Sequence, residues 1–223
     1  MLAPALTTTE LVTGERMTVE EFLRCWEEQP GLKNAELIDG VVHVASPVSR
    51  EHGSIDALIH WWLVHYAHAT PGCHAGNNST WLMLDSAPQP DAFLRILPAH
   101  GGQSGDGRLY CTGAPELAVE ICLTSTEVDF GPKRKLYQRA GVQEYITIEL
   151  FRKRLVWHVL QDGVYFYQEF PPDGILRSLV FPGLWLDVAA FWAEDGAGML
   201  AALNAGLASE DHHKFAERLA AVK

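Results

Sequence analysis

The chain has 223 residues, 48% of them hydrophobic and 20% charged, and a formal net charge of −11. That length suits one domain with a substantial apolar core, and no stretch approaches the run of about eighteen apolar residues that marks a membrane span. The acid excess excludes a protein that coats nucleic acid through many Lys and Arg phosphate contacts, but leaves room for an enzyme with a local basic cluster such as Lys133, Arg134, Lys135 and Arg139.

The N-terminus lacks the basic start and long apolar run of a signal peptide, so residues 1–16 read as a flexible arm of a cytoplasmic protein. From Thr18 to Glu28 the sequence predicts a short helix, with Thr18 and Glu21 spaced as a capping box and Pro30-Gly31 ending it. Asp39-Gly40 divides residues 36–45 into two short hairpin strands. Ile55, Leu58, Ile59, Trp62 and Tyr66 recur at helical spacing and predict a helix over 49–68, stopped by Pro71-Gly72. Strands follow at 80–84 and 92–96, then a Gly-, Ser- and Pro-rich loop over 97–114. The apolar run Leu117–Cys122 predicts a central strand buried on both faces. A helix over 129–140 ends at Gly141, and strands are expected at 144–149, 155–159 and 164–168, the last two joined through Asp162-Gly163. Residues 179–187 lead into helices near 187–193, 196–207 and 209–221. This order is that of an α/β fold with a mixed sheet.

Little of the chain points to chemistry. Gly-x-Ser-x-Gly, a phosphate-binding Gly-rich loop ending in Lys-Ser/Thr, and HExxH are all missing, and no nucleotide cofactor is expected. Cys25, Cys73, Cys111 and Cys122 occur singly and read as reduced, mostly buried thiols. What stands out is Asp91, at the start of one apolar segment, and Glu120, near the end of another, followed by Lys133. If 91–96 and 117–122 are neighbouring strands, the two carboxylates can share Mg²⁺ or Mn²⁺, which would polarise a phosphate and lower the pKa of a bound water. Pattern alone equally allows each acid to be a strand-end residue in a surface salt bridge. Lys133 and Tyr137 share one helix face with Asp129 a turn earlier, so Lys133 either pairs with Asp129 at the surface or stands over the acids. Lys135 lies about 200° round the same helix, and pattern does not choose between the two lysines. Glu36 either completes the acid cluster or caps its turn. His52 shares the apolar face of its helix and reads as a core histidine, His65 and His68 lack further ligands at useful spacing, and His212 and His213 read as solvent-exposed.

Taken together, Met17-Thr-Val-Glu-Glu-Phe22, Glu36-Leu-Ile-Asp-Gly40, His52, Pro90-Asp91, Pro115-Glu-Leu-Ala-Val-Glu120, Asp129-x-x-x-Lys133-x-x-x-Tyr137 and Gly141-Val-Gln-Glu-Tyr145 resemble the Uma-two-type restriction endonucleases of the PD-(D/E)XK nuclease superfamily. The resemblance spans roughly residues 17–190. It implies a restriction-endonuclease-like domain over 17–193 with a C-terminal helical extension over 194–223, Mg²⁺ or Mn²⁺, and hydrolysis of DNA. It matches Asp91 and Glu120 to the metal-binding acids, Glu36 to the early acid, and Lys133 to a catalytic lysine moved from its usual place, where this chain has Cys122. A second departure is Cys122-Leu-Thr-Ser-Thr126, where the family often has a Ser-Pro step. Two other readings stand beside the nuclease: a degenerate nuclease fold serving as an interaction or assembly module, and a metal-dependent hydrolase of another phosphoester. Trp185, Trp192 and the apolar stripe of the last helices, with the superfamily's habit of dimerising, give an expected homodimer.

Overall fold

The structure, a computed structural model, describes residues 10–45, 48–123 and 126–222. Helix α1 (Val19–Glu27) starts with the expected capping box: the Thr18 hydroxyl accepts from the Glu21 N–H at 3.2 Å, and the Glu21 carboxylate accepts from the Thr18 N–H at 2.9 Å. Strands β1 (Ala35–Ile38) and β2 (Val41–Val44) form an antiparallel hairpin. Asp39 and Gly40 both take positive φ at its turn, which suits the right-handed twist of the strands. Phe22, Cys25, Ala35, Leu37, Val42 and Ala87 close a small core between α1 and this hairpin. Residues 10–16, expected as part of a loose arm, are instead tied to it. Leu11 is buried in the same core, and Gly14 and Glu15 exchange backbone hydrogen bonds with Val42. The rest of that arm lies outside the described residues.

Helix α2 (Arg50–Ala69) is capped by Ser49. After it come β3 (Cys73–Asn77), β4 (Trp81–Leu82), β5 (Ala92–Ile96), β6 (Gly105–Asp106), β7 (Cys111–Thr112) and β8 (Leu117–Cys122). A helical turn α3 (Thr126–Val128), a π-helical turn (Asp129–Lys133) and α4 (Arg134–Ala140) then run on continuously, and Gly141 ends them at φ +87. Next are β9 (Glu144–Glu149), β10 (Arg154–Gln161), β11 (Val164–Tyr167), β12 (Ile175–Arg177) and β13 (Trp185–Asp187). Helices α5 (Val188–Trp192), α6 (Gly196–Leu207) and α7 (Glu210–Ala221) complete the chain.

Six strands form the main sheet in the order β11-β10-β9-β8-β5-β3, with β8 and β9 parallel and every other pair antiparallel, so the sheet is mixed as expected. Every residue of β8 and β9 is buried. Strand alternation sorts their side chains. Val119, Ile121, Ile146 and Ile148 face the core under α2, together with Phe181, Leu203 and Phe215 from the C-terminal part. Ala118 and Tyr145 face Leu136 and Tyr137 of α4 on the other side, and that parity sends Glu120 toward α4.

Several elements differ from expectation. Strand β3 carries no strand signal in sequence, because Cys-His-Ala-Gly-Asn lacks branched and aromatic residues. It forms by pairing with β5, and Gly76 belongs there because a Cβ would meet the Phe93 ring at 2.5 Å. The strand expected over 80–84 shrinks to β4, since Leu84 turns to φ +53 and Met83 pairs with Ser86. The loop over 97–114 contains β6 and β7, which join β4 in a three-stranded sheet. Strand β12, also not among the expected strands, pairs with β13. The four cysteines are free, Cys25 and Cys122 buried and the others half-buried. Among the described residues no helix is long and apolar enough to cross a membrane.

Candidate functional site

Strands β5 and β8 pair with Ala92 opposite Val119 and Phe93 opposite Ala118. Continuing that register by one residue sets Asp91 against Glu120. The Asp91 Oδ2 atom accepts the Ile121 N–H at 2.6 Å, while Oδ1 lies 3.4 Å from His52 Nε2 on α2. His52 therefore reaches the candidate site rather than the core interior. The apolar periodicity of α2 hid this, because His52 sits in the helix's first turn, where the helix overhangs the sheet end.

Lys133 stands at the centre. Its ammonium lies 2.8 Å from Glu120 Oε1, 2.8 Å from Glu36 Oε1 and 3.8 Å from Asp129 Oδ1. The Tyr137 hydroxyl donates to the same Glu120 oxygen at 2.7 Å. Glu36 also accepts the Gln89 N–H at 2.6 Å, so it joins the β1–β2 hairpin to the main sheet rather than only capping its turn. Lys135 is exposed on the opposite side of the helix, which answers the question left open between the two lysines. Arg152, Lys153 and Arg154 form another basic cluster, at a surface turn where Arg152 and Arg154 both pair with Glu149.

Glu36, His52, Asp91, Glu120, Asp129 and Lys133 line a cleft of about 680 Å³ between the β1–β2 hairpin and the start of α2. Its floor is Glu120 and Lys133, each with 4% of its side chain exposed, whereas Asp91 and Glu36 expose 17% and 18%. Burial pushes the Glu120 carboxyl well above the usual range; Lys133 pulls it back, and Asp91, Asp129 and Glu36 add to the rise. Burial disfavours the Lys133 charge, but Glu120, Glu36, Asp129 and Asp91 outweigh it and hold the ammonium charged well above its ordinary range. His52 is raised by its hydrogen bond to Asp91. Asp56, a turn further along α2, is raised by burial and by Asp91, and its Oδ1 atom is buried without a hydrogen-bond partner. His43, across the hairpin from Glu36, is lowered by burial.

One ammonium among this many carboxylates leaves negative charge uncompensated, and the donors are hard oxygens. Asp91 and Glu120 thus fit a divalent cation of the Mg²⁺ or Mn²⁺ kind, with Asp56 nearby. Among the described residues no group of three or more His, Cys, Asp or Glu is arranged to hold a metal ion. Mg²⁺ commonly takes only one or two carboxylates, keeps several waters and borrows oxygens from its substrate, so a two-acid set remains chemically apt.

One further expectation is corrected. His212 is buried rather than exposed: Nε2 lies 3.0 Å from the Thr70 hydroxyl and Nδ1 2.8 Å from the Leu207 carbonyl oxygen. Trp185 is half-buried under the Arg177 guanidinium, and Trp192 is half-buried and packs on the main core. The variant step after Cys122 includes residues 124 and 125, which lie outside the described residues.

No curated protein matches the chain. A crystal structure described as a putative nuclease belonging to DUF820, from Anabaena variabilis, aligns with a TM-score of 0.57 at 17% identity, over 84% of this chain and 99% of that one. At that identity the likeness is one of fold, and it agrees with a restriction-endonuclease-like α/β architecture. Residues 19–189 match the Uma2 family, described as a putative restriction endonuclease, and the chain belongs to that family.

Proposed function

We propose that the protein is a divalent-metal-dependent endonuclease that hydrolyses DNA phosphodiester bonds, using Mg²⁺ or Mn²⁺. The observation that carries the reading is the buried Lys133 ammonium, 2.8 Å from both Glu36 and Glu120 in a cleft that also holds Asp91, in a chain of a nuclease family. Asp91 and Glu120 are the residues assigned to the metal. When bound, a divalent cation supplies charge neutralisation at the phosphate and a lowered pKa for water. Lys133 donates hydrogen bonds toward the attacking water or the charged phosphate oxygens. Glu36 and Tyr137 fix the positions of Lys133 and Glu120, and the Ile121 N–H and His52 orient Asp91.

A second reading is a nuclease fold without catalysis, serving as an interaction or assembly module. Lys133 already engages Glu36 and Glu120, and no three-ligand group occurs among the described residues; both observations favour it. Calorimetry with Mn²⁺ and Mg²⁺ separates the two. The nuclease reading expects binding by the wild type that weakens at least about tenfold in Asp91→Asn and Glu120→Gln, and Mn²⁺-dependent DNA cleavage that Lys133→Ala abolishes while circular dichroism stays unchanged. Absence of metal binding by a folded wild type, with and without DNA, would make the interaction module the better account.

A further inference from the structure

The cleft also bears on which form of DNA can be a substrate, an inference that rests on the nuclease reading above. Its floor and its rim differ in depth. Glu120 and Lys133 are each 4% exposed at the side chain, and a scissile phosphate has to come within hydrogen-bond reach of them. The β1–β2 hairpin, through Glu36, His43 and Val44, forms one wall, and the start of α2, through Ser49, His52 and Asp56, forms the other. The space between them, about 680 Å³, falls within the range of a small-molecule pocket. An open cleft of that size admits a nucleotide or two between its walls.

Charge points the same way. Among the described lining residues Glu36, Asp56, Asp91, Glu120 and Asp129 bring carboxylates, Lys133 brings the one ammonium, and there is no arginine. Duplex binding draws its affinity from several Lys and Arg groups set along both phosphate backbones. Three of the exposed guanidinium groups are occupied at home, Arg139 by Asp39 and Arg152 and Arg154 by Glu149. The walls suit a base instead. Asn34 and Asn78 offer amides able to read a base edge, His43 and His52 offer rings for stacking, and Val44 and Val48 offer apolar surface.

We propose that DNA enters this cleft as a single strand (an unpaired tail, a flap or an extruded nucleotide) and that continuous duplex is a poor substrate. Enzymes whose reactive groups lie below the reach of a stacked duplex act on single-stranded or flipped-out nucleotides in this way.

The test uses the full chain with Mn²⁺ and three DNAs: a single-stranded circle, a covalently closed relaxed duplex circle, and a labelled duplex carrying one single-stranded tail. The expected result is cutting of the single-stranded circle and of the tail at least about tenfold faster than nicking of the closed duplex, with all cutting lost in Asp91→Asn. Equal rates on the closed duplex would overturn this inference and leave the nuclease reading standing. No cutting of any of the three would overturn both.

Discussion

At the scale of single residues, His52 carries the most specific expectation. Asp91 is held at both oxygens, by the Ile121 N–H at 2.6 Å and by His52 at 3.4 Å. Groups that orient a metal-binding carboxylate commonly set the affinity as much as the carboxylate does, and losing one costs about 10–100-fold. His52→Ala is therefore expected to weaken Mn²⁺ binding by about that factor while the thermal midpoint stays close to wild type, and His52→Gln, which keeps an N–H donor, should recover part of the loss. Unchanged metal affinity in His52→Ala would reduce the residue to packing. Asp91 and Glu120 were legible in the sequence because their places at the ends of apolar segments are local features. His52 and His212 were not, because their surroundings are set by contacts between distant segments: His52 with residue 91, and His212 with Thr70. Choosing Lys133 over Lys135 also needed the structure, since a π-helical turn carrying Pro132 sets the phase of that helix.

At the scale of elements, Glu144 fastens the C-terminal part to the sheet. It opens β9, and its carboxylate accepts the Ser178 hydroxyl at 2.6 Å and the Leu179 N–H at 2.7 Å. Burial pushes its carboxyl up from 4.5 to about 7, against these hydrogen bonds. The fold thus prefers the neutral acid. The stability this preference contributes is full below the unfolded value of 4.5 and is lost as pH rises through about 7. Glu144→Gln keeps a neutral side chain with an acceptor oxygen, so its stability relative to wild type is expected to rise between about pH 5 and about pH 8 in urea titrations. A difference independent of pH would mean that folding does not raise the Glu144 carboxyl above its unfolded value. Elements with strong local patterns were readable: the capping box of α1, the Asp-Gly hairpins and the apolar run of β8. Strands β3, β6, β7 and β12 were not, being short or poor in branched residues and formed by pairing partners remote in sequence.

At the scale of the whole molecule, the last helices are part of the main core. Met199, Leu203, Phe215 and Leu219 pack with Trp62, Tyr66 and Phe181. Docking is close where α6 crosses the segment before β13: a Cβ on Gly206 would meet the Gly183 carbonyl oxygen at 2.2 Å and Trp185 at 2.8 Å. Gly206→Ala is expected to destabilise by about 1–3 kcal/mol despite its better helix propensity, and a thermal midpoint at or above wild type would show that α6 can shift without cost. Elsewhere the molecule is built from cores of different size, and the cleft lies where two of them face each other. The small core of α1 and the β1–β2 hairpin carries one wall, while the main sheet and α2 carry the other wall and the floor. Contact between these bodies at the floor runs through Glu36, which holds both Lys133 and the Gln89 N–H. On the proposed nuclease reading, selectivity and reactivity are therefore housed separately. Substitutions on the hairpin surface, away from Glu36, can reshape what is admitted while Asp91, Glu120 and Lys133 stay as they are, so a change of target in this architecture needs no change of chemistry.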